Sequence, residues 1–470
     1  MTLFTLFFKL NDYTMTRIER RNEKKKYGKD FASFFRILKR YFPDFTSWLS
    51  SLKDPRKFCT YEIELMLMTV IMKNICCISS MQKMTDEFIK EECVKNLCTV
   101  LGVTEHEFLP HYVTVNEFLS KMDMGELEKL RSKMIHTLLR RRKFEDARLQ
   151  GKYWMVIFDA TGLFHFKERH CSNCLKKTLN KGKENEQTIY YHHVLEAKLV
   201  LGDGFVISIG SEFIENKDEN VSKNDCETKA FKRLAEKLKK EYPRLKICVL
   251  ADSLYASESV FEKCIKDNGW HFLVRYKDGS IPSVAEEYRG ICDYNGSDSL
   301  DEAIAREYPR KGKVNGKLHM EWVPEIDYRG YSLTLLAMEI EESEETSGNS
   351  KTLTFQWLTD LTVTFKNAGE FAAVGRGRWC IENQGFNIQK NIRYDIQHAN
   401  SLDYNAMKCH YLLTQIADLL LQLYEKGRPG IRKAKGTIKN ISSDLLKSFG
   451  KLLTGEDISF ITAYGYVKAA

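Results

Sequence analysis

The chain has 470 residues, of which 43% are hydrophobic and 29% are charged, with only 8 prolines. This composition excludes a mainly disordered or fibrous chain, and the length predicts more than one domain. Thirteen cysteines, behind an apolar start with no basic leader or cleavage site, predict reduced thiols and a cytoplasmic location. The most apolar run, residues 63–78, contains Glu64 and Lys73 and is too short to cross about 30 Å of hydrocarbon. We therefore expect a buried helix there and no membrane span.

Positive charge is concentrated at the N-terminus. The net charge is +8, and residues 1–60 hold 14 Lys and Arg against 6 Asp and Glu, so the whole surplus lies in this arm. A basic arm on a neutral body indicates either a polyanionic partner or a solubilising tail. Residues 60–145 show helical periodicity and end in the basic run Arg140–Lys143. We expect residues 1–145 to form a basic helical module that binds DNA, or a helical support for the rest of the chain.

From residue 150 the pattern changes to short apolar strands and amphipathic helices. A turn at Gly202–Gly204 joins two of the strands, and a capping-box-like start at Asn224 opens the first helix. The order β-β-β-α-β-α-β is that of a ribonuclease-H-like fold, so we predict an α/β class with a mixed sheet. The predicted strands are 153–158, 194–201, 205–213, 246–251 and 270–276, and the predicted helices are 224–240 and 257–268.

The sheet is predicted to be interrupted. Alternating apolar residues at 318–323, 331–340 and 353–358 predict a β-rich insertion over residues 277–365. Helical patterns return at 370–394 and 406–424. The core is thus predicted in two parts, 150–276 and 366–425, with a basic tail at 426–470.

Two acidic residues follow buried strands. Asp159 comes after the first strand and Asp252 after the fourth, and these strands are neighbours in such a sheet. Ligands of open α/β sheets gather at the carboxyl ends of the strands, and a buried carboxylate needs a partner there. Mg²⁺ prefers carboxylate oxygens, and a pair of metal ions supports phosphoryl transfer. Taken alone, an Asp at such a position is more often a strand-end cap or turn residue.

A third acid lies in the helical pattern after the insertion. Arg378 and Glu382 are four residues apart on one helical face, and Asn383, Phe386 and Lys390 follow at helical spacings. Alone, this pattern is typical of a solvated ion pair.

Together these segments resemble DDE transposases of bacterial insertion sequences, in the subgroup with a β insertion before the third acid and a Tyr/Arg/Glu/Lys signature helix. The matching stretches are 158–162, 250–256 and 378–390, and the resemblance covers roughly residues 150–424. The acids are 93 and 130 residues apart, and the longer interval can hold the insertion. Gly375 stands where the family has Tyr, and Lys390 lies one position beyond the usual place, which Gln389 occupies.

The resemblance implies a transposase that nicks double-stranded transposon-end DNA with water and joins the 3′ end to target DNA. It would work as a homodimer or higher assembly and use Mg²⁺ or Mn²⁺. The alternatives are a ribonuclease-H-fold nuclease that does not join DNA, an inactive DNA-binding relic, and a zinc-stabilised scaffold. The sequence lacks a Gly-rich phosphate loop and a Gly-x-Ser-x-Gly elbow. The implied residues are Asp159, Asp252 and Glu382 as catalytic metal ligands, and Arg378, Lys390 and Asn383 as DNA contacts.

A separate motif has zinc-like spacing. Cys171 and Cys174 form a Cys-x-x-Cys pair, and His192-His193 follows. Adjacent strand residues point to opposite faces, so both histidines cannot easily reach one ion. Several lysines lie between the Cys pair and the His pair. The segment is therefore interpreted either as a DNA-contacting loop held by zinc or as a flexible basic loop with free thiols.

Overall fold

The computed structural model describes most of the chain. The described residues are 29–142, 144–202, 204–221, 223–308, 312–344, 350–378, 385–426 and 437–463. The first 28 residues of the basic arm, and the predicted site residues Glu382 and Asn383, lie outside them. Within the described ranges, no helix has both the length and the apolar character needed to span a membrane.

The N-terminal region is helical, as predicted. Residues 63–75 form the expected buried helix, in which every residue but Glu64 is buried. Its helices are α1 (Asp30–Tyr41), α2 (Phe45–Ser50), α3 (Ile63–Ile75), α4 (Met81–Glu87), α5 (Glu91–Leu101), α6 (Tyr112–Lys121) and α7 (Met124–Arg140).

The centre of the described part of the molecule is a mixed sheet of ten strands. Its core order is β4-β3-β1-β5-β6, with β1, β3 and β4 antiparallel and with β5 and β6 parallel to β1. This order confirms the predicted ribonuclease-H-like fold class. The strands of this part are β1 (Trp154–Phe166), β2 (Leu175–Leu179), β3 (Gln187–Val200), β4 (Val206–Ile214), β5 (Ile247–Ala251) and β6 (His271–Tyr276).

The predicted insertion continues the same sheet. Its four strands form an antiparallel meander, and its last strand pairs with β6. The alternating apolar pattern predicted the last three of these strands, but not the first strand or the helix that packs on the second. The elements are α10 (Pro282–Asn295), β7 (Asp298–Tyr308), β8 (Gly312–Tyr328), β9 (Tyr331–Glu344) and β10 (Ser350–Thr359). Short helical turns α9 (Glu258–Glu262) and Lys263–Asp267 precede β6.

Helices cover the sheet. Helix α8 (Glu227–Glu241) packs on β4, where Gly210 leaves room for Leu234 and Leu238. The predicted start at Asn224 is wrong, because the helix begins at Glu227 and the Asn224 side chain donates instead to the Lys176 carbonyl at 2.6 Å.

A long buried helix, α12 (Tyr404–Lys426), joins the sheet to the N-terminal helices. It packs against β4 and also against α1, α3, α6 and α7. Helix α11 (Ala368–Gly377) and a π-helical segment, Ile388–Arg393, precede it. The tail forms α13 (Ile438–Phe449) and α14 (Gly455–Thr462), both packed on α1. The N-terminal helices, the sheet and the tail therefore share one continuous core.

Candidate active site at the carboxyl edge of the sheet

Two of the predicted acids occupy the same register position of neighbouring strands. Asp159 lies within β1, which continues past its predicted end at residue 158 to Phe166, and Asp252 directly follows β5. Parallel pairing of β1 and β5 joins Trp154 to Ile247 and Ile157 to Leu250, a constant offset of 93 residues. Asp159 and Asp252 have this same offset. Continued by two residues, the register therefore places both carboxylates at the same level of neighbouring strands, which lie about 4.8 Å apart in a sheet. The structure thus brings together the two acids that sequence reasoning paired.

The backbone turns sharply after Asp252. Its Oδ1 accepts a hydrogen bond from the Leu254 amide at 2.8 Å, at the start of the short helical turn Ser253–Tyr255. This bond fixes the Asp252 side chain directly after the end of β5.

A further acid, Glu227, lies at this edge and was not assigned to the site from sequence. The Tyr255 hydroxyl donates to Glu227 Oε1 at 2.7 Å, and Tyr255 is buried. Burial raises the pKa of Glu227, and the negative charge of Asp252 raises it further. Glu227 therefore lies within electrostatic reach of the predicted acids. In the sequence, Glu227 resembled only part of a helix cap. The available signal for a site residue was its position as an acid at the start of a helix in a fold with two other acids at strand ends.

Positive side chains accompany Asp159. Arg378, which follows α11, has its Nη1 3.7 Å from Asp159 Oδ2, and both side chains are 16% exposed. Burial lowers the pKa of Lys390, while the charge of Asp159 acts in the opposite direction, so this ammonium also lies near the carboxylate. The structure thus gathers two predicted DNA contacts beside the first predicted acid.

The unusual position of Lys390 has a structural reason. Lys390 lies in the π-helical segment, whose wider turn accommodates one more residue than an α-helical turn. Gln389, at the usual position, is 1% exposed and hydrogen-bonds Gln415 and Asp418 of α12 at 3.1 Å. Gln389 therefore points into the core, and the following residue, Lys390, faces the acid.

The second departure from the family pattern also has a steric cause. A Cβ on Gly375 would lie 2.5 Å from the Trp357 ring atoms Cε2 and Nε1, and Trp357 is buried in β10. The indole takes the space that a Tyr side chain would need. Gly375 is therefore a packing residue in this chain.

The Cys-x-x-Cys motif forms a second, separate cluster. Among the described residues, the ligand atoms of Cys171, Cys174 and His192 all lie within 4.8 Å of one another. His193 stands apart, because its ring lies beside Gly162 and Tyr191. Its pKa is lowered to about 4 by burial and by the positive charges of His165 and Lys390. None of the twelve cysteines in the described part of the chain forms a disulfide bond.

Comparison with known families agrees with this geometry. Residues 205–419 match a family model described as "Transposase DDE domain". The match supports a DDE transposase. It includes Asp252 and the segment 378–390, and it begins after Asp159. No curated protein sequence matches the chain.

A transposase domain implies DNA binding and suggests a divalent-metal-dependent, DNA-cutting enzyme. Four of the residues predicted for this chemistry, Asp159, Asp252, Arg378 and Lys390, meet at one edge of the sheet.

Proposed function

We propose that the chain is an insertion-sequence transposase that cleaves transposon-end DNA and joins its 3′ end to target DNA. The observation that carries the proposal is the shared register of Asp159 and Asp252 on adjacent strands. With Glu382, these two residues would be the catalytic acids of a two-metal-ion phosphoryl transfer. The subgroup with a β insertion and a Tyr/Arg/Glu/Lys-type signature fits the insertion between β6 and α11.

The acidic edge fits Mg²⁺ or Mn²⁺. The proposed ligands are carboxylates, which these hard cations prefer. Burial raises the pKa of the nearby Glu227, and the negative charge of Asp252 raises it further. The acids at this edge of the sheet are therefore close together and partly buried, and such an arrangement favours the binding of a cation. When bound, the metal would help to deprotonate the attacking oxygen and to stabilise the leaving one.

Arg378 and Lys390 would hold the DNA beside these acids. A guanidinium can bind phosphate oxygens through two parallel hydrogen bonds, and an ammonium acts as a point charge. Both groups are already near Asp159, so a phosphate that they bind would lie within reach of the acids. Asn383 is proposed to support the same contact.

The other regions receive roles by position. The basic N-terminal module, residues 1–145, would hold transposon-end DNA, with an affinity that falls as salt rises. The insertion, residues 277–365, would contact flanking DNA or a second copy. Pairing of two ends would need a homodimer or higher assembly, and the work on genomic DNA would take place in the bacterial cytoplasm, at the nucleoid.

The test uses purified full-length protein with Mg²⁺ or Mn²⁺ and labelled DNA that carries the inverted ends flanking its gene. The variants Asp159→Asn, Asp252→Asn and Glu382→Gln keep side-chain size and remove one charge each. Glu262→Gln, at an exposed position of α9, is the matched control. A second reaction supplies a pre-cut end and a target plasmid, so that joining is measured apart from cutting.

We expect metal-dependent nicking at the element boundary and joining of the pre-cut end. Both should be lost in the three site variants, with DNA binding retained, and both should persist in the control. Cutting without joining would favour the nuclease alternative. Binding without either reaction would favour the inactive relic. Cleavage that survives Glu382→Gln would show that another acid completes the site, with Glu227 as the first residue to examine.

A further inference from the structure

We propose that Cys171, Cys174 and His192 bind one Zn²⁺ ion, which fastens the β2–β3 ribbon to the core of the protein. This site is separate from the acidic edge, and the proposal does not depend on the transposase reaction. It concerns the thiol and imidazole donors that the proposed function leaves unused.

The three donors have the separations of a zinc site. The two sulfurs are 3.6 Å apart, and each lies 3.4 Å from His192 Nε2. Tetrahedral zinc, with Zn–S of about 2.3 Å and Zn–N of about 2.0 Å, places sulfurs about 3.8 Å apart and sulfur and nitrogen about 3.5 Å apart. The donors therefore surround a point that zinc could occupy with only small adjustments.

The donors are held in place by buried neighbours. Cys174 and His192 are 0% exposed, and the His192 ring stacks on Tyr404 with its centroid at 4.0 Å. His192 Nδ1 is buried and has no hydrogen-bond partner within the described part of the chain, so stacking orients the imidazole. Cys171 is only half-buried. A water molecule reaching the cluster past Cys171 would complete four-coordination.

Hydrogen bonds around the cluster fix the loop that carries the thiols. Asn216 donates from Nδ2 to the Cys174 carbonyl at 2.9 Å, and its backbone amide donates to the Asn173 carbonyl at 3.0 Å. His170 Nε2 lies 2.8 Å from the Leu402 carbonyl, just before α12. Such supporting contacts are typical of protein metal sites, where they orient the ligands.

The position of the cluster suggests what the ion does. The thiols lie just before β2 and His192 lies on β3, so an ion would join these two elements at the base of the β2–β3 ribbon, where Tyr404 of α12 stacks on His192. Lys176 and Lys177 on β2 are exposed. Strand β2 pairs with β3, and β3 pairs with β1, the strand that carries Asp159, so the ion would help to set where this basic ribbon lies relative to Asp159.

The first test measures the metal content of the full-length protein, purified without chelator, by inductively coupled plasma mass spectrometry. We expect one zinc per chain, lost in Cys171→Ser and in Cys174→Ser. Cys59→Ser removes an exposed thiol elsewhere and should keep the zinc. Zinc content that is unchanged in both cluster variants would overturn the assignment.

A second test needs no substitution, so it stands even if the variants fold poorly. The zinc is replaced with Co²⁺ in the unaltered chain, and the absorption spectrum is recorded. Two thiolate ligands and tetrahedral geometry should give a strong sulfur-to-cobalt charge-transfer band together with intense d–d bands. X-ray absorption of the zinc form should show two sulfurs at about 2.3 Å and two light atoms at about 2.0 Å. A folded protein that takes up no metal, or whose metal has no sulfur ligand, would show instead a metal-free pair of thiols beside an imidazole.

Discussion

Gly375 of α11 lies against the indole of Trp357, with 2.5 Å between the ring and the place where a Cβ would stand. Ala normally stabilises a helix relative to Gly by about 1 kcal/mol. Here the added methyl group must displace a buried ring, which typically costs about 1–3 kcal/mol. Gly375→Ala should therefore lower the free energy of unfolding, measured by urea denaturation, and Gly375→Tyr should lower it further.

A matched glycine tests the cause of this effect. Gly290 is exposed in α10, and a Cβ there meets nothing within 4 Å. Gly290→Ala should raise the free energy of unfolding by up to about 1 kcal/mol. The smaller, aliphatic side chain in Trp357→Leu should reduce the penalty of Gly375→Ala in a double-mutant cycle. Equal effects of the two Gly→Ala changes would contradict the steric explanation.

Lys390 is predicted to contact a DNA phosphate from its place in the π-helical segment. Lys390→Ala should weaken binding about equally for all DNA sequences and reduce the salt slope of log K by about 1. Binding is measured without divalent metal, so that cleavage does not interfere. Lys240→Ala is the control, because Lys240 lies near the opposite end of α8 from Glu227, about 20 Å along the helix. A salt slope unchanged in Lys390→Ala would remove this residue from the DNA contact.

The π-helical segment is fastened by a buried ion network, whose loss should destabilise the fold. Arg393, 6% exposed, lies 3.2 Å from Asp418 and also pairs with Glu425, and Tyr394 donates to Asp418 at 3.1 Å. Arg393→Met would leave two buried carboxylates without their cation. Breaking such pairs costs about 3–5 kcal/mol, and this loss should appear in the free energy of unfolding.

Replacing the two carboxylates with neutral amides should restore much of the free energy of unfolding that Arg393→Met loses. The triple variant Arg393→Met, Asp418→Asn, Glu425→Gln removes both uncompensated charges together with the arginine. It should be clearly more stable than Arg393→Met alone. If the triple variant is no better than the single one, the arginine stabilises the protein by packing and not by charge.

The sequence predicted the elements whose signals are local. The apolar runs that became β1 and β5, each followed by Asp, were found because buried strands show as continuous apolar segments. Strand β2 was missed because its central residues are exposed and basic, and it forms only by pairing with β3. The start of β3 at Gln187, seven residues before the predicted one, depends on the same pairing.

Tertiary contacts decided the remaining features of the site. The π-helical shift at Gln389 depends on its bonds to α12, and the helical periodicity of residues 370–394 carries no sign of them. Glu227 joined the edge because α8 begins there, three residues later than predicted. Two histidines follow the Cys pair in the sequence. The three-dimensional arrangement of β3 and the loop before β2 was needed to show that His192, and not His193, faces the thiols.

His410, buried in α12, should make stability fall in acid. Its Nε2 lies 2.8 Å from Asn116 Oδ1 on α6, and burial, together with the positive charge of Lys73, lowers its pKa from 6.5 to about 3. The unfolded chain therefore binds a proton below pH 6.5 that the folded protein does not bind until about pH 3. The stability contributed by neutral His410 is full above pH 6.5 and is lost as pH falls from 6.5 towards 3, at about 1.4 kcal/mol per pH unit.

His410→Gln tests this contribution, because the amide can still donate to Asn116 but does not titrate. Urea denaturation at pH 7, 6, 5 and 4 gives the difference in free energy of unfolding between wild type and variant. This difference should shift in favour of the variant by about 1.4 kcal/mol per unit once pH is well below 6.5. In Lys73→Met the positive neighbour is gone, so the His410 pKa should rise and the acid loss should become smaller. Parallel stability curves for wild type and His410→Gln would mean that the imidazole is protonated in the folded protein as readily as in the unfolded chain.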